Sequence, residues 1–231
     1  RKALAALWLI ADGTGLDALI EAARPYGDEA VEALDEALRT DRPVPEAEKA
    51  KPKPSTPKPP KLPWLDVNAL PHPVLRDSGK PLPTSATANL ISLLALADGR
   101  LSPELREIFD RCDRASLTAL SWAIFEAWRA AREPSRNNWV LYQLGWLGND
   151  ETVRQLTPII RVWPGRSGHH KAVLGLGVLA EIGTDVALMH LNGIAQKVKF
   201  TGLKEAAQRT LAEVAKERGL STEQLADRLV P

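Results

Sequence analysis

One cysteine, one methionine, two tyrosines and three phenylalanines are all that this 231-residue chain holds of those types. A lone Cys112 excludes an intrachain disulfide and a thiolate-rich metal cage, and it fits a reducing compartment. No apolar run approaches eighteen residues, so no membrane span is expected, and the first dozen residues do not have the form of a signal peptide. The expected location is the cytoplasm. An excess of one charge is missing too: 30 basic residues face 29 acidic ones, which excludes a strongly basic nucleic-acid binder by bulk charge. No H-x-x-x-H, C-x-x-C, H-E-x-x-H or G-x-S-x-G spacing occurs, so neither a zinc site nor an activated serine is written in the order of the residues. No enzymatic activity, cofactor or small-molecule substrate is expected. The chain begins at Arg1 without a methionine, is in helical pattern by Leu4, and reads as a piece of something longer.

What is present is a repeat. Gly148, Gly183 and Gly219 stand 35 and 36 residues apart. Each follows an apolar helical stretch and precedes a polar helix start: Asn149-Asp150, Thr184-Asp185 and, after Leu220, Ser221. A glycine just past a helix accepts a left-handed backbone, and Asn, Ser or Thr then caps the next helix. Leu179-Ala180-Glu181-Ile182 reappears as Leu211-Ala212-Glu213-Val214, and Ile10-Ala11-Asp12-Gly13 and Leu96-Ala97-Asp98-Gly99 are weaker copies. Such a period suits stacked helix pairs, each too small to bury its apolar face alone. The expected fold is all-α, a HEAT-like helical-repeat solenoid with a right-handed stack. Ser102-Pro103-Glu104 is a well-formed helix start, and Ser221 with Gln224 makes a capping box.

Composition divides the chain in three. Residues 1–40 read as a helical-repeat segment whose last helix is acidic, with Asp28, Glu29, Glu32, Asp35 and Glu36 around a stripe of Val31, Leu34 and Leu38. Residues 41–63 hold eight of the eighteen prolines, mixed with lysines, and read as a semi-stiff extended linker. Residues 64–231 form the HEAT-like domain. Seven tryptophans outnumber the phenylalanines, and their interleaving with Leu and Ala assigns them to the core rather than to a stacking platform.

Two constellations are candidates for function. Between 161 and 204 there are six basic residues against Glu181 and Asp185. Turns of successive helix pairs gather on one edge of a solenoid, so Arg161, Arg166, His169, His170, Lys171, Lys197, Lys199 and Lys204 form a candidate interaction surface. Its occupant would be phosphate backbone, an acidic partner, or the acidic N-terminal helix. The second is a candidate pocket at Asp185, Met189, His190 and Asn192, on the helix whose apolar face holds Ala187, Leu188, Leu191, Ile194, Ala195 and Val198. The G-x-G at Gly175 to Gly177 lies inside a helical run and is expected to be a close-packing surface, not a phosphate loop.

The stretch GTDVALMHLNGIAQKVKF from Gly183 to Phe200, with Gly202-Leu203-Lys204 and Ala226-Asp227-Arg228-Leu229-Val230-Pro231, resembles the bacterial molybdate-metabolism-regulator-like proteins. In these large chains a WGR domain is often joined to helical repeats and a C-terminal domain of unknown function. The resemblance runs from about Trp64 to Pro231. It implies an internal helical-repeat region and carries over no catalytic residues. Trp163-Pro164-Gly165-Arg166 is interrupted by proline and is not the Trp-Gly-Arg signature. The expected function is a non-catalytic interaction scaffold for neighbouring domains of the same polypeptide or a protein partner. The alternative is a nucleic-acid-binding surface on the 161–204 strip.

Overall fold

The computed structural model describes residues 61–97 and 99–229. The expected helices of residues 1–40 and the linker up to residue 60 lie outside the described residues. Among those described, the fold is all-helical, with nine α-helices and no strand beyond two isolated β-bridges. They are α1 (Thr84–Leu96), α2 (Pro103–Arg111), α3 (Arg114–Ala130), α4 (Trp139–Leu147), α5 (Asp150–Val162), α6 (His169–Ile182), α7 (Asp185–Lys197), α8 (Thr201–Glu217) and α9 (Thr222–Arg228).

The helix starts follow the local chemistry of their caps. Ser102 accepts from the Leu105 amide with Pro103 in the first turn, and Asp113 accepts from Ser116. Asn149 and Ser221 each close a capping box, with Thr152 and Gln224, and Thr184 accepts from Ala187. Each such cap satisfies amides that have no partner inside the helix.

Packing then takes a two-layer form. Each of α5, α6, α7 and α8 packs on its sequence neighbour, α4 packs on α6 and α6 on α8, and α5 packs on α7. Helices α4, α6 and α8 therefore share one layer while α5 and α7 lie in the other. A single core runs through the stack, from Leu117 and Trp128 through Leu144 and Leu156 to Leu179, Leu191 and Leu203. Of the six tryptophans among the described residues, Trp128, Trp139, Trp146 and Trp163 are buried in it.

The repeat glycines serve different ends. Gly183 and Gly219 have φ of +64° and +67°, the left-handed geometry expected of them. Gly148 does not: its φ is −71° and ψ 169°, extended backbone open to any residue. What requires glycine there is space, because a β-carbon would stand 2.4 Å from the Leu144 carbonyl oxygen and 3.0 Å from Ile182 on α6. The G-x-G pair divides likewise. A β-carbon on Gly175 would meet Ile160 at 2.6 Å, whereas one on Gly177 would meet nothing within 4 Å. Only Gly175 is a close-packing position.

Candidate interaction surface

The turns after α3, α5 and α7 fall on one edge of the stack. Trp163, in the turn after α5, donates from Nε1 to both carboxylate oxygens of Glu133, in the turn after α3, at 3.0 and 3.1 Å. The Phe200 ring, in the turn after α7, lies 3.3 Å from where a β-carbon on Gly165 would stand, and the His169 ring lies 3.2 Å from the corresponding point on Gly202. The two basic segments read from the sequence are thus neighbours. Arg161, Arg166, His169, His170, Lys197 and Lys199 are exposed there, and Lys204 is half-buried.

Lys171 does not join that strip. Its ammonium pairs with the Glu133 carboxylate and sits 5.9 Å from the centre of the Trp128 ring. Position explains this: Lys171 is in the first turn of α6 on the side facing α3, so its stem runs inward to the one carboxylate that closes the edge. The Glu133 and Lys171 side chains are only 18% and 24% exposed.

Sequence reading missed the continuation of this edge upstream. Arg129, Arg132 and Arg166 line a cleft of about 430 Å³, together with Glu133, Pro158, Ile159, Val162 and Trp163. Val162 is 50% exposed, so the cleft has an apolar wall as well as cationic groups. Its rim is made by two consecutive non-glycine residues in the left-handed region, Arg132 at φ +65° and Glu133 at φ +56°. Each costs about 1 kcal/mol relative to ordinary backbone. The geometry is held by the Glu133 amide donating to the Trp128 carbonyl at 2.9 Å and by the carboxylate contacts to Trp163 and Lys171.

The four pocket candidates are not brought around one cavity. Asp185 is exposed in the first turn of α7 and Met189 is 40% exposed. Asn192 accepts from Gln196 at a long 3.5 Å on the same helix. His190 turns instead toward α5, its Nδ1 2.9 Å from the Thr157 hydroxyl oxygen. That hydroxyl donates its proton to the Val153 carbonyl, so the imidazole must donate from Nδ1, which fixes the neutral tautomer. The amphipathic pattern of this helix is otherwise as expected, with Ala187, Leu188, Leu191, Ile194 and Ala195 buried and Val198 as the half-buried C-cap.

Burial lowers the His190 pKa from its ordinary 6.5, aided by the positive charges of Arg161 and Arg154 and opposed by Asp150. A depressed folded-state pKa means that the unfolded chain takes up the proton first as pH falls. His190 therefore contributes stability above pH 6.5 that is lost as pH drops through the lower folded value. The stability gap between wild type and His190→Asn, followed by urea unfolding from pH 7.5 to 5, should be largest at the alkaline end and shrink below 6.5. A gap constant across that range would contradict the assignment.

The opposite edge carries the glycine turns and a wider cleft of about 650 Å³ lined by both signs of charge, among them Arg114, Asp150, Arg154 and Glu181. Here Arg114 donates to the carbonyls of Trp146 at 2.7 Å and Gly148 at 3.3 Å. The Thr184 hydroxyl donates to Asp150 at 2.6 Å, and Arg218 donates to the Gly183 carbonyl at 2.6 Å. Cys112 is buried, and burial pushes its thiol pKa up, which leaves it a poor nucleophile. Among the described residues no three His, Cys, Asp or Glu side chains converge to hold a metal, and no helix is long and apolar enough to cross a membrane.

The chain is 39% identical over 133 residues to the uncharacterized protein YehI of Escherichia coli (strain K12). The match takes in 58% of this chain and 11% of that protein, so the chain spans about a tenth of the length of its relative. No protein-family model matches, and no solved structure does.

Proposed function

We propose that the chain is a HEAT-like α-solenoid module acting as a non-catalytic interaction scaffold in the cytoplasm, within a larger bacterial protein. The observation that carries this reading is the packing of second neighbours, α4 on α6, α5 on α7 and α6 on α8, together with the packing of α5 to α8 each on the next in sequence, the arrangement in which stacked pairs share one extended core. The glycine-to-cap unit recurs at the same place in each pair. The 11% share of the long relative fits a module whose work is to hold other parts in place, as does the resemblance to the molybdate-metabolism-regulator-like chains. The test is cross-linking mass spectrometry of the tagged full chain in its source cell. Cross-links concentrated on Lys197, Lys199 and Lys204 and reaching one protein or one neighbouring domain are expected. Cross-links spread evenly over every surface lysine would count against a docking edge.

A second reading, a nucleic-acid surface, is favoured by the meeting of the 163–169 and 197–202 turns. Among the described residues Arg161, Arg166, Lys197, Lys199 and Lys204 form no ion pair that would neutralise them. On this reading anisotropy with mixed-sequence DNA and RNA should show binding that weakens steeply with salt. Lys197→Glu with Lys199→Glu should weaken it on all sequences and flatten the salt slope by about two. Binding unchanged by both reversals would remove the strip from consideration.

A further inference from the structure

The cleft between α3 and α5 is built from two kinds of wall. Arg129 at the end of α3 and Arg132 in the turn after it line one side, and the turn after α5 adds Arg166. On the other side α5 presents Pro158, Ile159 and Val162. Val162, at 50%, is the most exposed of the large apolar side chains among the described residues, and Pro158, one turn before it, is exposed as well. The carboxylate in the recess is already committed. Glu133 accepts from the Trp163 indole and pairs with Lys171, and Arg129 Nε reaches it only at 4.0 Å. Among the described residues Arg132 and Arg166 form no ion pair. The recess of about 430 Å³ thus holds cationic groups in excess beside an apolar strip.

We infer that this cleft docks an extended acidic segment of a partner protein, in which one aliphatic side chain is flanked by carboxylates. The inference rests on the scaffold reading and gives its partner a chemistry. Charge complementarity asks for anions, and planar guanidinium groups take carboxylates through paired N–H donors. In an extended segment successive side chains point to opposite sides, so a leucine set against Val162 turns the residues before and after it toward the arginines. Nucleic acid meets the same charge but not the same walls. Its bases stack on open aromatic faces, whereas Trp163 is 4% exposed with its indole nitrogen on Glu133, and Trp128 has no exposed surface. A phosphate backbone also leaves Pro158 and Val162 in water, where an aliphatic side chain would cover them.

The test titrates the full chain, at physiological salt, into two fluorescein-labelled peptides followed by anisotropy: Gly-Asp-Glu-Leu-Glu-Asp-Gly, and the same peptide with serine in place of leucine. Wild type should bind the leucine peptide at least about fivefold more tightly than the serine peptide. Val162→Ser should erase that preference and leave the affinity for the serine peptide within about twofold. Arg132→Glu with Arg166→Glu should weaken the leucine peptide at least about thirtyfold. Arg132→Lys with Arg166→Lys, which keeps the charge and loses the paired donors, should weaken it about fivefold. Lys197→Glu with Lys199→Glu, outside the cleft, should change it by less than about threefold. Circular dichroism of each variant should match wild type, since all the substituted side chains are exposed. No binding of either peptide to wild type overturns the assignment, as do equal affinities for the two peptides or a loss just as large on reversal at Lys197 and Lys199. Mixed-sequence single-stranded DNA held through Arg132 and Arg166, with neither peptide bound, would make the cleft a nucleic-acid contact and overturn it too. The scaffold reading keeps its own measurement. Cross-links still gathered at Lys197, Lys199 and Lys204 with no peptide bound would strike the cleft alone, whereas cross-links spread evenly would strike the docking edge itself.

Discussion

Trp128→Ala should lower the stability of the protein by about 3–5 kcal/mol, the range for removing a large aromatic from a packed core. Trp128 has no exposed surface, stacks at 5.9 Å on Phe125 and donates from its indole to the Pro134 carbonyl at 3.1 Å. Its ring also lies under the Lys171 ammonium, 5.9 Å away, so truncation removes a wall of the edge cluster along with the core contact. Chemical denaturation of the full chain would measure the loss, with Trp122→Ala as the control, since Trp122 is only partly buried. A loss under about 1 kcal/mol, or one no greater than that of the control, would mean that α3 and α6 are not packed around this ring.

The three repeat glycines should respond unequally to the same change. Gly219→Ala meets no neighbouring atom and carries only the left-handed penalty, about 1 kcal/mol. Gly183→Ala adds a tight approach to the Ala180 carbonyl at 3.2 Å and should cost somewhat more. Gly148→Ala has no dihedral penalty, yet its β-carbon would overlap the Leu144 carbonyl oxygen, a backbone atom that cannot turn aside, and press on Ile182. The expected loss is the largest of the three, about 3 kcal/mol, at the upper end for overpacking. Thermal or urea unfolding of the three variants side by side decides it. If Gly148→Ala proves the mildest, the close approach of α4 to α6 at this turn is not what demands glycine.

That contrast shows what the residue order conveys and where it stops. Caps at Ser102, Asn149, Thr184 and Ser221 were legible because each works within three residues of itself, and the apolar faces were legible because they follow helical spacing. Gly148 has the same sequence context as Gly183, but what requires glycine there is space, first beside the Leu144 carbonyl oxygen in its own turn and then beside Ile182, 34 residues away. The edge surface was legible only in its later half. Arg166 and Lys197 fall in one charged window, whereas Arg129 and Arg132 join them through a fold contact with the turn at Trp163. Glu133-Pro134 does signal the end of a helix, but nothing in Arg132 or Glu133 announces a left-handed backbone, because these residue types rarely adopt it. Lys171 was assigned outward for the converse reason: its partner Glu133 is 38 residues upstream.

The two edges of the stack are joined with different materials over its last interval. On the glycine side, directed hydrogen bonds rivet one turn to the next, Thr184 to Asp150 and Arg218 to the Gly183 carbonyl. On the cationic side, the turns at 163–169 and 197–202 meet through ring-to-backbone packing alone, Phe200 on Gly165 and His169 on Gly202. Sliding contacts of that kind yield under loads that a rivet resists. The spacing between Arg161 and Arg166 beside one turn and Lys197 and Lys199 beside the next is therefore set by packing rather than by directed bonds, and is less tightly fixed than that of the glycine-side turns. On the proposed reading that this edge meets an anionic partner, a spacing held by packing alone would adapt to groups of more than one separation.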